Sequence, residues 1–143
     1  MAKPSKLEMD YEYEFHLIAM VSSSKEYKLA WHLNKELNIS LAKEPDLEYN
    51  LTKGRRFLVS NFLFDAEYSS FRLLKNKAVD STNVAKPFVI PELKQYDYLL
   101  KIDTELSVEE INVYLSQIKL MQQVQLVELV NVEKLSSKEN LLF

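Results

Sequence analysis

FVIPELKQYDYLLKI, residues 88–102, is the stretch on which the reading of the whole chain turns. Pro91 has no backbone N–H and restricts the residue before it, so Ile90 is driven to extended geometry while Pro91 itself suits the first turn of a short helix. Glu92 then stands beside the N–H groups that such a turn leaves unpaired. After the turn, Tyr96, Tyr98, Leu100 and Ile102 alternate with Asp97, Leu99 and Lys101. That is the period of a strand whose carboxylate points away from its aromatic face. The expectation is a corner that feeds a strand.

Downstream, Ser107-x-x-Glu110 is a capping box, and Leu106 with Ile111 has the spacing of a hydrophobic staple. A helix follows with Val108, Ile111, Leu115, Ile118 and Met121 on its buried stripe. Residues 124–132 can extend that helix or form a strand; the strand is preferred because β-branched valines fit a pleated surface better than a helix interior.

Upstream, YEYEFHLIAMV at 11–21 alternates, placing Tyr11, Tyr13, Phe15, Leu17, Ala19 and Val21 on one face and Glu12, Glu14, His16, Ile18 and Met20 on the other. Ser23-x-x-Glu26 is a second capping box, for a helix to about Asn38 with Tyr27, Ala30, Trp31, Leu33 and Leu37 facing inward. Residues 39–51 read as a strand broken at Glu44-Pro45, an edge or a bulge. Gly54 is the sole glycine of the chain, and its place between Lys53 and Arg55 predicts a positive φ at a hairpin tip. Residues 56–64 and 68–75 are expected strands joined near 65–67, and 77–86 a polar loop. Two βαβ-like units thus flank a hairpin. The expected fold is a single α+β domain over 1–143: a ferredoxin-like (split βαβ) sandwich with two helices on one face of a largely antiparallel sheet, an inserted hairpin, and tails at 1–8 and 136–143.

Composition narrows the function. The 143 residues are 47% hydrophobic, enough for one core. There is no cysteine, no apolar N-terminal run and no apolar stretch of the roughly 20 residues that a membrane helix needs, which predicts a cytoplasmic protein with no membrane partner. A net charge of −3 argues against nucleic acid as a partner, because phosphate-backbone affinity rests on clustered Lys and Arg. One glycine cannot build a dinucleotide fingerprint or a phosphate-cradling loop, and no cofactor is expected.

IPELKQYDY, residues 90–98, resembles a family of small bacterial proteins named for an I-P-E-x-x-x-V-D-Y motif. Ile90, Pro91, Glu92, Asp97 and Tyr98 match it, and Tyr96 stands where the family name has Val. The similarity extends over most of the chain, including YKLAWHLNKEL at 27–37 and KLSSKENLLF at 134–143. The resemblance implies a bacterial protein and carries over no catalytic residue, since the family name is a label for the motif.

Each candidate site has a functional and a structural reading. Glu92 and Asp97 can act as an acid/base pair or as oxygen ligands for a divalent cation, but the structural reading, a helix-turn anchor and a strand-edge carboxylate, is preferred. A metal site without cysteine would need both His16 and His32 with carboxylates such as Glu12 and Glu14; a solvated strand face gives the same pattern, and no metal site is assigned. Ser22-Ser23-Ser24 lacks the surroundings of a nucleophile elbow, so no catalytic residue is assigned. Lys53, Arg55 and Arg56 at the hairpin tip are the candidate partner-binding residues; edge protection is their structural reading. The expected function is a non-enzymatic protein-interaction module with an unknown protein partner. A homodimer is expected if the sheet face opposite the helices leaves apolar residues such as Ile18 and Met20 uncovered. The alternative is a small-molecule-binding regulatory domain resembling the ACT type, whose ligand loop would be residues 21–24.

Overall fold

Strands with apolar side chains on both faces need a cover on each side, and that requirement organises the molecule. The computed structural model describes residues 15–85, 87–104 and 107–143. The elements run β1 (His16–Val21), α1 (Glu26–Leu37), β2 (Ala42–Asn50), β3 (Arg56–Asp65), β4 (Ser69–Lys75), β5 (Asp80–Thr82), β6 (Tyr98–Thr104), α2 (Val108–Lys119) and β7 (Leu126–Val130). Single 3₁₀ turns lie at Pro91–Leu93, Val132–Lys134 and Lys138–Leu141.

Among the described residues the fold is α+β, with two helices and a seven-stranded open antiparallel sheet in which six strands run in the order β2-β3-β4-β6-β1-β7. This is not the order of a simple split-βαβ sandwich. β2 and β3 lie beyond β4, and β5, inside the expected polar loop, pairs with β3. β2 is an edge strand with an irregular register between Glu44 and Leu47, where Pro45 cannot donate to the ladder. Residues 126–130 form a strand that pairs with β1, in keeping with the β-branched reading. The hairpin tip has φ of 63° at Lys53 and 70° at Gly54. A Cβ at Gly54 would meet no atom within 4 Å, so backbone conformation rather than space calls for the glycine.

Both helices pack on one face. Leu29, Ala30, Leu33 and Leu37 of α1 and Ile111 and Ile118 of α2 bury Ile18, Met20, Phe71, Leu73, Tyr98, Leu100 and Ile102. Ile18 and Met20, expected on a free face, are therefore fully enclosed beneath the helices. The opposite face, carrying Leu17, Ala19, Phe57, Val59, Leu74 and Leu99, is covered too. Its cover is Val89, Ile90 and Tyr96 of the corner together with Val132, Leu135 and Leu141 of the C-terminal arm. Residues 136–143 are thus no loose tail, because Leu141 has no exposed surface. The expected tail at 1–8, Tyr11 and Tyr13 of the first strand, and Leu106 of the staple lie outside the described residues.

Three helix expectations changed, one of them in α2, where Val108, expected on the buried stripe, is 53% exposed. The Ser107–Glu110 box forms, with Glu110 N–H donating to Ser107 Oγ at 3.3 Å and Ser107 N–H to Glu110 Oε1 at 3.2 Å. The Ser23–Glu26 box does not: α1 starts later, with Lys25 at the N-cap and no side-chain cap. The buried stripe of α1 also lies to one side of the expected one. Leu29 joins Leu33 and Leu37 inside, while Tyr27 and Trp31 are 57% and 56% exposed.

Candidate functional site: the corner motif, the hairpin and the outer side of the first helix

Geometry divides the sequence candidates into residues that hold the scaffold and residues that face outward. Ile90 is extended (φ −124°, ψ 93°) and buried, and Pro91 opens the 3₁₀ turn, as its chemistry demands. Glu92 does not meet Asp97. Its carboxylate accepts from Ser137 N–H at 2.7 Å and Ser137 Oγ–H at 2.8 Å, clasping the C-terminal arm. Burial raises the Glu92 pKa, but hydrogen bonds from its own backbone, from the Ser137 side chain and from the Ser137 and Ser136 backbones outweigh that and hold it below the ordinary value.

Asp97 Oδ2 accepts from Ser22 N–H at 2.9 Å, and Tyr98 Oη–H donates to Ser24 O at 2.5 Å. The second half of the motif therefore pins the loop between β1 and α1. Burial, Glu26 and Asp97 push the Tyr98 hydroxyl up to about 12, so it stays protonated and can donate. Tyr96 and Tyr98 do not share a face as alternation predicts. β6 begins at Tyr98, which packs under the helices, whereas Tyr96 precedes the strand and packs on the opposite face.

The residue that organises the corner is Asn76, which sequence reasoning missed. Fully buried, it accepts from Ile90 N–H at 2.9 Å through Oδ1. Its Nδ2 reaches the carbonyls of Ile90, Leu93 and Tyr96 at 3.3, 2.9 and 3.3 Å. An asparagine at the end of a strand, before a lysine-rich loop, gives no local sign of this; only an uncapped corner elsewhere in the chain hints that some side chain must serve it.

The serine loop is fully engaged. Ser23 N–H donates to Gln125 Oε1 at 3.2 Å and Ser24 N–H to Ser22 Oγ at 3.2 Å, while Ser22 Oγ–H donates to Gln123 O at 2.5 Å. With Asp97 on Ser22 N–H, all three backbone donors have partners inside the protein. At the hairpin, Arg55 bonds its own turn, Nε to Thr52 O at 3.1 Å and Nη2 to Thr52 Oγ1 at 3.2 Å. Arg56 Nη1 lies 3.4 Å from Glu48 Oε2 across the strand pair. Two of the three candidate cations are thus tied locally. Among the described residues no group of three or more His, Asp or Glu side chains could hold a metal ion, and no helix is long and apolar enough to cross a membrane.

The outward-facing surface lies on α1. Trp31 and Tyr27 are one helical turn apart and both more than half exposed. Trp31 lines an open groove of about 320 Å³ with His32, Lys35, Glu36 and residues 120–123. Leu120, at the end of α2, is 82% exposed on the same groove. Lys35 Nζ sits 4.5 Å from the centre of the indole ring, and His32 meets it edge-on at 5.0 Å, so the Trp31 ring is held in place in the free protein. The groove brings Trp31 and Leu120 together with an imidazole, a cation, a carboxylate and two glutamines on a mainly polar lining, so a side chain seated there meets two apolar contacts within a polar surround. Comparison with models of known families, with curated proteins and with solved structures finds no match.

Proposed function

We propose that this protein is a non-enzymatic interaction module that docks a partner protein on the outer side of α1, inserting an apolar side chain of the partner between Trp31 and Leu120. The observation that carries this reading is the exposure of Trp31 and Leu120 on one groove, with Tyr27, one helical turn from Trp31 on α1, also more than half exposed. Tryptophan and tyrosine dominate binding hot spots because each buries a large area at small entropic cost. A self-associating copy can use the same surface; the sheet face opposite the helices is already occupied by the corner and the arm.

Trp31 is the single tryptophan, so its fluorescence reports on this site alone. Affinity capture from native cells with the wild-type chain, Trp31→Ala and Lys53→Glu/Arg55→Glu should recover one partner that is lost with Trp31→Ala and retained by the hairpin variant. Adding that partner should shift Trp31 emission to the blue. Capture lost with the hairpin variant and kept by Trp31→Ala would move the site to Lys53, Arg55 and Arg56. If the partner is a second copy, light scattering should give a mass above 16.8 kDa that Trp31→Ala returns to the monomer value.

We also infer membership of the motif-named family and a split-βαβ unit in the strands β7-β1-β6-β4, to which β2, β3 and β5 add. What supports the first is that Ile90, Pro91, Glu92, Asp97 and Tyr98 each have a separate structural task. What supports the second is that α1 follows β1 and α2 joins β6 to β7, both helices on one face. The ACT-type alternative ranks lower, because the loop it would use has its Ser22, Ser23 and Ser24 N–H groups engaged.

A further inference from the structure

Arg72 of β4 and Lys101 of β6 are directly opposite each other in the sheet register. Like charges in that relation repel, and the repulsion is larger where water is excluded. Lys101 is only 7% exposed. Among the described residues Lys101 has one carboxylate partner, Asp103, whose Oδ2 lies 3.3 Å from its Nζ, and no acidic side chain pairs with Arg72. Among the described residues Arg72 has one side-chain hydrogen bond, Nη1 to Asn61 Oδ1 at 2.6 Å, and most of its donor fork meets no acceptor there. Asn61 is itself fully buried and anchored by Nδ2 to Pro45 O at 2.8 Å, so the guanidinium is aimed by a rigid partner.

Of the rings that lie over this pair among the described residues, Phe143 reaches both cations. The Phe143 centroid is 4.8 Å from Arg72 Cζ and 4.8 Å from Lys101 Nζ, and Phe143 is 54% exposed. Phe15 lies on the lysine as well, at 4.7 Å, and is buried. Two aligned cations, one held by a buried amide, thus stand beneath a half-exposed ring. Burial and the neighbouring Arg72 lower the Lys101 pKa and Asp103 raises it, the balance being downward, which a second anion at this place would reverse.

We propose that Arg72 and Lys101 form a binding site for an oxyanion, the phosphate or carboxylate group of a ligand, with Phe143 as its displaceable cover. Arginine meets such a group with two parallel N–H donors and lysine adds a point charge, so a tetrahedral phosphate and a planar carboxylate share the recognition chemistry.

The test is titration of the full chain with inorganic phosphate and, separately, with acetate at constant ionic strength, followed by the NMR shifts of Arg72 Nε–H and by melting temperature. Saturable movement of the Arg72 signal with a Kd of about 1 mM or tighter is expected for at least one anion. Saturation by phosphate alone identifies a phosphate ligand, and saturation by acetate alone a carboxylate. Arg72→Gln, which keeps a donor for Asn61, should weaken binding by about tenfold or more. Lys101→Met should do likewise, and if that variant fails to fold, Arg72→Gln carries the test alone. Phe143→Ala should bind as tightly as the parent or more so; loss of binding there overturns the role of cover. Absence of saturation with both anions, or equal affinity in Arg72→Gln, overturns the site.

Discussion

Both faces of the sheet carry a cluster of buried apolar side chains, and the two are covered in opposite ways. On one, α1 and α2 lie across Ile18, Met20, Leu73, Leu100 and Ile102, and since a helix satisfies its own backbone it has only to supply side chains of the right size. On the other, the cover is an irregular corner and the C-terminal arm, whose backbone polar groups need partners from elsewhere. Asn76 serves Ile90 N–H and three carbonyls, Asn140 Nδ2 donates to Val89 O at 2.8 Å, and Tyr49 Oη–H donates to Asn140 O at 2.7 Å. The difference teaches why so polar a motif lies against so apolar a face. Glu92 of the motif, together with Asn76, Asn140 and Tyr49 from outside it, fastens a cover that cannot fasten itself.

The sharpest way to break that arrangement is Asn76→Ala. It leaves a buried N–H and several carbonyls unpaired, and at about 1–3 kcal/mol for an unsatisfied group the loss should reach about 3 kcal/mol or more in chemical denaturation. An effect below about 1 kcal/mol would mean that water or a shift of the corner replaces the side chain. Leu141→Ala should cost about 2–4 kcal/mol, near the range for truncation of a buried leucine. Hydrogen exchange should place the loss in residues 131–143 and the corner while α1 and α2 keep their protection; uniform loss over both faces would show that the covers are not separable.

Glu92→Gln gives the smallest effect, about 1 kcal/mol or less for an exposed clasp. Its signature is in the pH dependence. The folded Glu92 titrates below its ordinary value of 4.5, so the unfolded chain takes up the proton first. The contribution is therefore complete above that value and disappears as pH falls through the folded pKa. Wild type and Glu92→Gln should differ in stability at pH 7 and converge in acid, and parallel stability curves would assign the clasp to Ser137 geometry rather than charge.

Much of this fold is legible because local rules operate within a few residues. Pro91 restricts Ile90 through a steric clash with its immediate neighbour, and the Ser107 and Glu110 groups close a box within one turn. Gly54 accommodates the positive φ of its own hairpin, and the valines of 124–132 select a pleated surface. Where the reading failed, the answer depended on chain distant in sequence. Hydrophobicity ranks Trp31 and Tyr27 as core residues, but the position of the sheet under α1 buries Leu29 instead. The Ser23 box gave way because Gln123 and Gln125, about a hundred residues downstream, engage the serine loop. Lys53, Arg55 and Arg56 read as a charged cluster, although Glu48 and the turn's own Thr52 occupy two of them. Sequence alone determined the types of most elements and the chemistry at the corner, the hairpin tip and the start of α2, since these are decided by backbone sterics and by hydrogen bonds within a turn. Only tertiary structure decided which face each helix buries, what covers the second face of the sheet, and that Arg72 and Lys101 stand opposite each other, because those depend on contacts between segments that meet only when the chain has folded.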